Sequence, residues 1–164
     1  MKLSPQISKE KSLTDFVLLQ KNMKKGLAAQ ERLIRKFQLL AQSEEDIMPI
    51  LNLLDCPIAL FKKGGVLHRV NQTLMENTDL VNGDIPQRNI SFLERITNEN
   101  FAMLEAAEGV FYGKNALLSQ LTSPLELFCK SWIYPICEDY KNALFFPLPD
   151  GEGRILYGAV MLVK

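Results

Sequence analysis

The sequence predicts an α+β fold in which a five-stranded antiparallel sheet packs helices on one face. Two short apolar runs flank a Gly-Gly pair within residues 57–70, which is the pattern of a β-hairpin. Helical patterns occupy the middle of the chain, and the last third is rich in strand-forming residues. Because hairpin-type groups flank the helical middle, we expect the strands to meet in one antiparallel sheet.

The first 42 residues precede this domain. Residues 1–12 are polar and aperiodic, which predicts a flexible terminus. Residues 13–42 predict a long helix, because apolar side chains recur there at heptad spacing. We expect this helix to form a homodimer, and docking onto the domain's own sheet is the alternative. The expected dimer-interface residues are Leu13, Phe16, Met23, Leu27, Ile34 and Phe37.

The remaining residues, 43–164, carry the elements of the domain in order. A helix is expected from residue 43, before the hairpin at 57–70. Asn71 should cap the next helix, because its side chain can accept from the free amides of the first turn. Residues 82–86 predict a turn, and further helices should follow Ser91 and begin at Asn98 or Asn100. The expected strands of the last third span 125–134, 143–148 and 155–163, with a turn at 149–153.

Composition excludes several classes of protein. The 19 basic and 19 acidic residues cancel, so we expect no direct binding of nucleic acid. No apolar run approaches the length of a membrane span, and the first apolar cluster is too short for a secretory signal. The three cysteines form no CxxC pair, which favours free, unreactive thiols. We therefore expect a cytoplasmic protein without membrane contact.

The hairpin segment 64–71, Gly-Gly-Val-Leu-His-Arg-Val-Asn, and the closing hairpin from Phe146 to Gly158 resemble the PAS domain family of small sensory and interaction modules. The resemblance covers about residues 46–164. It implies a five-stranded antiparallel sheet, a cavity between the sheet and the central helices, and an N-terminal helix that mediates dimer contacts. Residues 109–124 depart from the most regular members of the family, because this segment is long and irregular.

A site for a small apolar molecule could lie between the sheet and the central helices, and a core filled by the same side chains is the alternative. His68 is the only histidine and, by strand alternation, shares a face with Val66 and Val70. It could bind haem or a metal, but a lone histidine without further ligands favours a structural role. The expected lining residues are Ile58, Leu60, His68, Phe101, Leu104, Phe111, Leu127, Phe145 and Tyr157.

Catalytic signatures are absent from the sequence. It has no glycine-rich phosphate loop followed by Lys-Ser or Lys-Thr, no GxSxG and no HExxH, which are the motifs of common enzyme classes. Flavin-binding PAS domains carry an Asn-Cys motif at the start of a pocket helix, and this sequence has none. We therefore assign no catalytic residue and no metal site, and the sequence leaves the cofactor unknown.

These observations together predict a non-catalytic PAS-like sensor or dimerisation module of a signal-transduction or transcription regulator. Binding of a ligand or partner would be relayed through the N-terminal helix to a downstream output domain or partner protein. The alternative is a small-molecule-binding protein or an enzyme on another α+β scaffold, GAF-like or cystatin-like. Its site would lie in the crevice between helices and sheet.

Overall fold

The computed structural model describes residues 27–40, 44–81, 83–131, 134–135 and 137–164. The chain divides into two compact units, and the boundary between them falls in the sequence between Leu54 and Asp55. The first unit contains helix α1 (Leu27–Leu40) and helix α2 (Glu44–Asn52). No helix in the described ranges is both long and apolar enough to cross a membrane.

The expected dimer-interface residues fall partly within α1. Leu13, Phe16 and Met23 lie outside the described residues. Leu27 begins α1, while Ile34 and Phe37 are buried side chains of the same helix. The seam from residue 13 to residue 41 therefore stays a prediction.

The second unit contains a five-stranded antiparallel sheet, which confirms the fold class that the sequence predicts. The sheet order is β2-β1-β5-β4-β3, and every neighbouring pair is antiparallel. Its strands are β1 (Ile58–Phe61), β2 (Leu67–Val70), β3 (Ala116–Leu118), β4 (Asn142–Pro149) and β5 (Ile155–Val163).

Short helices connect the two halves of the sheet. The α-helices are α3 (Gln72–Glu76), α4 (Asp84–Arg88) and α5 (Phe101–Gly109). Turns of 3₁₀-helix lie at Lys63–Gly65, Phe92–Arg95, Asn98–Asn100, Val110–Tyr112 and Pro124–Phe128. The structure confirms four predicted local features: the hairpin turn, the cap at Asn71, the helix after Ser91 and the helix that follows Asn100. A helix at α4 directly after the left-handed Gly83 was missed, since residues 82–86 predicted a turn alone.

One predicted strand is wrong. Residues 125–134 do not form a strand where the structure describes them, because Pro124–Phe128 is a 3₁₀-helix. Side chains distant in sequence hold the backbone groups that a strand would pair. The Asp79 carboxylate accepts from the amides of Lys130 and Ser131, the latter at 2.9 Å. Arg95 donates to the carbonyls of residues 126, 130 and 131. The third strand of this part of the chain is β3, which lies in the segment that the sequence left irregular.

The apolar core of this unit lies on one face of the sheet. Phe61, Phe145 and Val160 point from β1, β4 and β5 into a cluster that includes Phe92 and Val110 of the helical layer. On the opposite face Ile58, Leu60, Phe146 and Met161 are also buried. Both faces of the sheet are therefore apolar.

Gly158 allows an aromatic ring to lie against the sheet. It pairs with Phe61 across β5 and β1, and a Cβ at this position would lie 2.6 Å from both Phe61 Cζ and Val110 Cγ2. We expect Gly158→Ala to lower the free energy of unfolding by about 2 kcal/mol, because the added methyl overpacks a closed core. Gly151→Ala is the matched control, since nothing lies within 4 Å of a Cβ there. Urea unfolding measures both variants, and equal stabilities would contradict the prediction.

The buried carboxylate of Asp84 links α4 to the segment around Lys130. It accepts from the Val81 amide at 2.9 Å and pairs with the Lys130 ammonium at 2.7 Å. The pKa of the Asp84 carboxyl is lowered, first by the hydrogen bond from Lys130 and then by that from Val81, while burial opposes them. The stabilisation is therefore present above the ordinary carboxyl pKa and is lost as the pH falls through the lowered value.

We expect Asp84→Asn to reduce stability at neutral pH by about 1–2 kcal/mol. The difference from the wild type should stay constant down to about pH 5 and shrink below about pH 4. There the unfolded wild-type chain takes up a proton on residue 84, whereas the folded carboxylate, with its lowered pKa, takes it up only at lower pH. Urea unfolding over this pH range measures it. Glu105→Gln, at an exposed position of α5, is the control and should follow the wild type. A difference that grows on acidification would contradict the prediction.

Candidate ligand cleft

Aromatic rings occupy the space between the sheet and the helical layer. The Phe61 ring meets the rings of Phe92, Phe111 and Phe145 edge-on, with centroids 5.2, 5.9 and 6.2 Å apart. Phe92 also stacks on Phe128 at 5.0 Å. These separations are those of favourable aromatic pairs. We call these five residues the aromatic cluster.

A cleft of about 390 Å³ opens beside this cluster. Three segments form it: the hairpin turn, the 3₁₀ turn that contains Leu93, and the end of α5 with the turn that follows. Its lining residues are Lys63, Gly64, Gly65, Leu93, Ala107, Glu108, Phe111 and Tyr112. The volume is within the range of small-molecule sites, roughly 300–1,000 Å³.

Two glycines shape the hairpin side of the cleft. Gly64 and Gly65 have φ angles of 80° and 75°, a region that favours glycine. A Cβ on Gly65 would lie 2.5 Å from Leu93 Cγ. The Ser91 hydroxyl donates to the Gly64 carbonyl at 2.6 Å. The turn is therefore held directly against the 3₁₀-helix at Phe92–Arg95, and only glycine permits this approach.

The aromatic wall of the cleft is a pair of consecutive residues after α5. Phe111 is partly buried and its ring contacts Phe61 of the aromatic cluster. Tyr112 is 83% exposed. The turn that carries both ends at Gly113, which has a φ of 82° and donates to the Val110 carbonyl at 3.0 Å. The wall thus has one ring joined to the core and one ring open to solvent.

The charges of the cleft are of opposite sign. Lys63 lies on the hairpin turn and Glu108 near the end of α5, and both residues are exposed. Within the described ranges, no group of three His, Cys, Asp or Glu side chains could hold a metal ion. The side chains present can therefore offer aromatic contact, hydrogen bonds and one charge of each sign.

The thiols lie elsewhere. Cys56 and Cys129 are buried, and Cys137 is partly buried. Burial raises the pKa of the Cys129 thiol, which disfavours the reactive thiolate form. Its sulfur lies 3.7 Å from the Leu125 carbonyl. Cys129 therefore packs as an apolar side chain with a weak donor.

The nine predicted lining residues separate into groups. Phe111 lines the cleft, and Leu127 and Phe145 belong to the core behind it. On α5, Leu104 is partly buried, while Phe101 at the start of the helix is 48% exposed. Of the nine predicted residues, therefore, only Phe111 lines the cleft. Its ring also contacts the buried Phe61 ring of the core.

The other four predicted residues lie on the opposite side of the sheet. Ile58 and Leu60 point away from the core cluster, because Ala59 and Phe61 alternate with them and point into it. The His68 ring stacks on the Tyr157 ring with centroids 4.2 Å apart and planes 13° apart.

The strand alternation expected for His68 is wrong. A register irregularity at Leu60/Phe61 separates the pairs that these residues make with β2. As a result Leu67 and Val70 both belong to the core, and His68 does not share the face of Val70. A β-bulge breaks the two-residue period in this way.

Sequence reasoning missed seven of the eight residues that line the cleft, which are Lys63, Gly64, Gly65, Leu93, Ala107, Glu108 and Tyr112. Two signals were present in the sequence. The Gly-Gly pair marked the hairpin turn, and the adjacent aromatic residues at 111–112 interrupted the pattern of α5. Neither signal shows that the two segments meet, because their approach depends on the tertiary fold.

No family model matches this chain, and no curated protein matches it. Among solved structures, it is similar to a sensory box sensor histidine kinase from Vibrio cholerae, with 16% identity, coverage of 77% of this chain and 96% of that one, and a TM-score of 0.48. It is also similar to an RNA-binding light-oxygen-voltage receptor, with 11% identity, coverage of 74% of this chain and 33% of that one, and a TM-score of 0.49. The photo-excited blue-light photoreceptor Vivid is similar with 12% identity, coverage of 66% of this chain and 78% of that one, and a TM-score of 0.45. At such values the fold class rests on the strand pairing itself.

Proposed function

We propose that this chain is a non-catalytic PAS-like sensory module in which the cleft receives a ligand or a group of a partner. The observation that carries the proposal is that Phe111 belongs both to the lining of the cleft and to the aromatic cluster. Phe111 lines the cleft, and its ring also contacts Phe61, another member of the aromatic cluster. An occupant that moves this ring therefore changes the packing of the core.

The path from the cleft into the sheet is short. Phe61 is the last residue of β1, and β1 pairs with both β2 and β5. Leu93, on another wall of the cleft, directly follows Phe92 of the aromatic cluster. Binding energy that differs between two arrangements of these rings would shift the population between them.

Exchange of backbone amides can test this connection. We expect Phe111→Ala to speed hydrogen exchange of β1 amides by at least about tenfold, because it removes a ring that supports Phe61 and each 1.4 kcal/mol corresponds to a factor of ten. Tyr112→Ala is the matched control, since that neighbouring ring is exposed. Mass spectrometry of exchanged peptides measures both variants. The same exchange in both would contradict the connection.

The output step of the proposal uses the N-terminal helix. We propose that the heptad seam of residues 13–41 forms a homodimer and relays the state of the domain to a downstream output domain or partner protein. Leu13, Phe16 and Met23 are the seam residues proposed to meet the partner copy, because Ile34 and Phe37 are already buried within the single chain. The assignment to a cytoplasmic signal-transduction or transcription regulator belongs to the same proposal. Its support is the heptad recurrence of apolar residues in this segment.

Sedimentation velocity of the full chain, from low to high micromolar concentration, tests the dimer. The variant Phe16→Gln/Met23→Gln removes two seam side chains and should remain monomeric where the wild type dimerises. Leu18→Gln is the control, because residue 18 lies outside the seam positions and has comparable apolar character. A wild type that stays monomeric throughout, or a dimer unaffected by the seam variant, would overturn this part of the proposal.

A further inference from the structure

We propose that the cleft binds a small planar aromatic molecule that carries one positive and one negative charge, of the size and type of an aromatic amino acid. This inference rests on the proposed sensory role of the cleft and names the class of its ligand. Three features carry it: the volume, the aromatic wall and the two charges.

The volume limits the size of the ligand. A cleft of about 390 Å³ is near the lower end of the range for small-molecule sites. It therefore suits one ring or two fused rings with a short polar substituent. A longer acyl chain or a dinucleotide would extend well beyond the lining residues.

The aromatic wall favours a planar ligand. Tyr112 presents an 83% exposed ring next to the partly buried Phe111. The turn is held by the Gly113 amide and the Val110 carbonyl, so the ring is carried on ordered backbone. Offset or edge-on contact with a ligand ring adds binding free energy beyond that of the area it buries. Leu93 supplies an aliphatic surface on another wall.

The charges favour a ligand with both signs. Lys63 and Glu108 line the same cleft. Neither side chain has an ion pair or hydrogen bond within the described part of the chain, so the two are not paired with each other. A ligand carboxylate can approach Lys63 while its ammonium approaches Glu108. Each exposed contact contributes a modest increment, and together they select the zwitterion.

Isothermal titration of the whole 164-residue chain with four indole compounds separates these features. L-Tryptophan carries both charges, tryptamine only the positive one, indole-3-acetate only the negative one, and indole neither. We expect tryptophan to bind at least about threefold more tightly than either singly charged compound, with indole weakest, since each exposed ion pair adds a modest increment of binding free energy.

Variants assign each charge. Glu108→Gln should weaken tryptophan and tryptamine about threefold and leave indole-3-acetate unchanged, whereas Lys63→Gln should weaken tryptophan and indole-3-acetate and leave tryptamine unchanged. Tyr112→Ala should weaken all four compounds. Lys62→Gln and Glu105→Gln are matched controls, because both residues are exposed and neither lines the cleft.

Several outcomes would overturn the inference. These are no binding of any compound at millimolar concentration, equal affinity for all four, or affinities that do not respond to Tyr112→Ala. If one singly charged compound binds more tightly than tryptophan, the inference of a zwitterionic ligand is wrong, and a ligand with that single charge takes its place. The dimer and the amide-exchange results do not depend on these compounds, so failure here would leave the proposed sensory role standing.

Discussion

Phe61→Ala should lower the free energy of unfolding by about 4 kcal/mol, because it removes a fully buried ring and leaves a cavity at the centre of the aromatic cluster. The ring contacts Phe92, Phe111 and Phe145, so no single neighbour can fill the space. Urea unfolding followed by circular dichroism measures the loss. Since domains of this size are stable by about 5–15 kcal/mol, the variant should fold with a much lower midpoint.

Two further variants make this prediction specific. Phe101→Ala is the matched control, because the Phe101 side chain is 48% exposed, and it should reduce stability by less than about 1 kcal/mol. Phe61→Leu retains part of the buried volume, so its loss of unfolding free energy should lie between those of Phe61→Ala and Phe101→Ala. This variant tests the prediction if Phe61→Ala does not fold. Similar losses for Phe61→Ala and Phe101→Ala would show that the aromatic cluster is not the centre of the core.

Local signals account for the parts of the fold that the sequence predicted. The Gly64-Gly65 turn has backbone angles that glycine favours, and the strands on either side follow from their apolar runs. The Ser91 hydroxyl accepts from the Leu93 amide at 3.2 Å, as a cap of a short helix should. Each of these features depends on residues a few positions apart, which a sequence displays directly.

Long-range contacts account for the parts that it did not predict. The segment after Pro124 is rich in strand-forming residues, but Asp79 holds its backbone from more than 50 positions away. The cleft forms because the fold brings Lys63, Leu93 and Tyr112 together. No periodic pattern in the sequence indicates that these residues are close in space. A single irregularity in β1–β2 pairing was enough to change the face of His68. Propensity and alternation are weak where tertiary contacts compete with them.

Asn71→Ala should lower the free energy of unfolding by about 3 kcal/mol, because three backbone groups lose their partner at once. The Asn71 side chain is fully buried. Its Oδ1 accepts from the amides of Leu74 and Ile58 at 3.0 and 3.1 Å, and its Nδ2 donates to the Cys56 carbonyl at 2.9 Å. The sequence predicted the helix cap alone. The two contacts at the start of β1 make the same side chain a link between β1, β2 and α3.

A comparison of substitutions separates the cap from the link. Asn77→Ala, at the other end of α3, removes one hydrogen bond to the Thr73 carbonyl and should lower stability by only about 1 kcal/mol. Asn71→Asp keeps both acceptor contacts but turns a carboxylate toward the Cys56 carbonyl. Burial and this carbonyl raise the pKa of the introduced carboxyl, so its penalty is present at neutral pH. The penalty should shrink as the pH falls from about 6 towards 4, because the protonated carboxyl can donate again. Urea unfolding across this range measures the penalty. If the Asn71→Asp protein is as stable as the wild type at pH 7, the contact with the Cys56 carbonyl does not contribute to stability and Asn71 acts only as a helix cap.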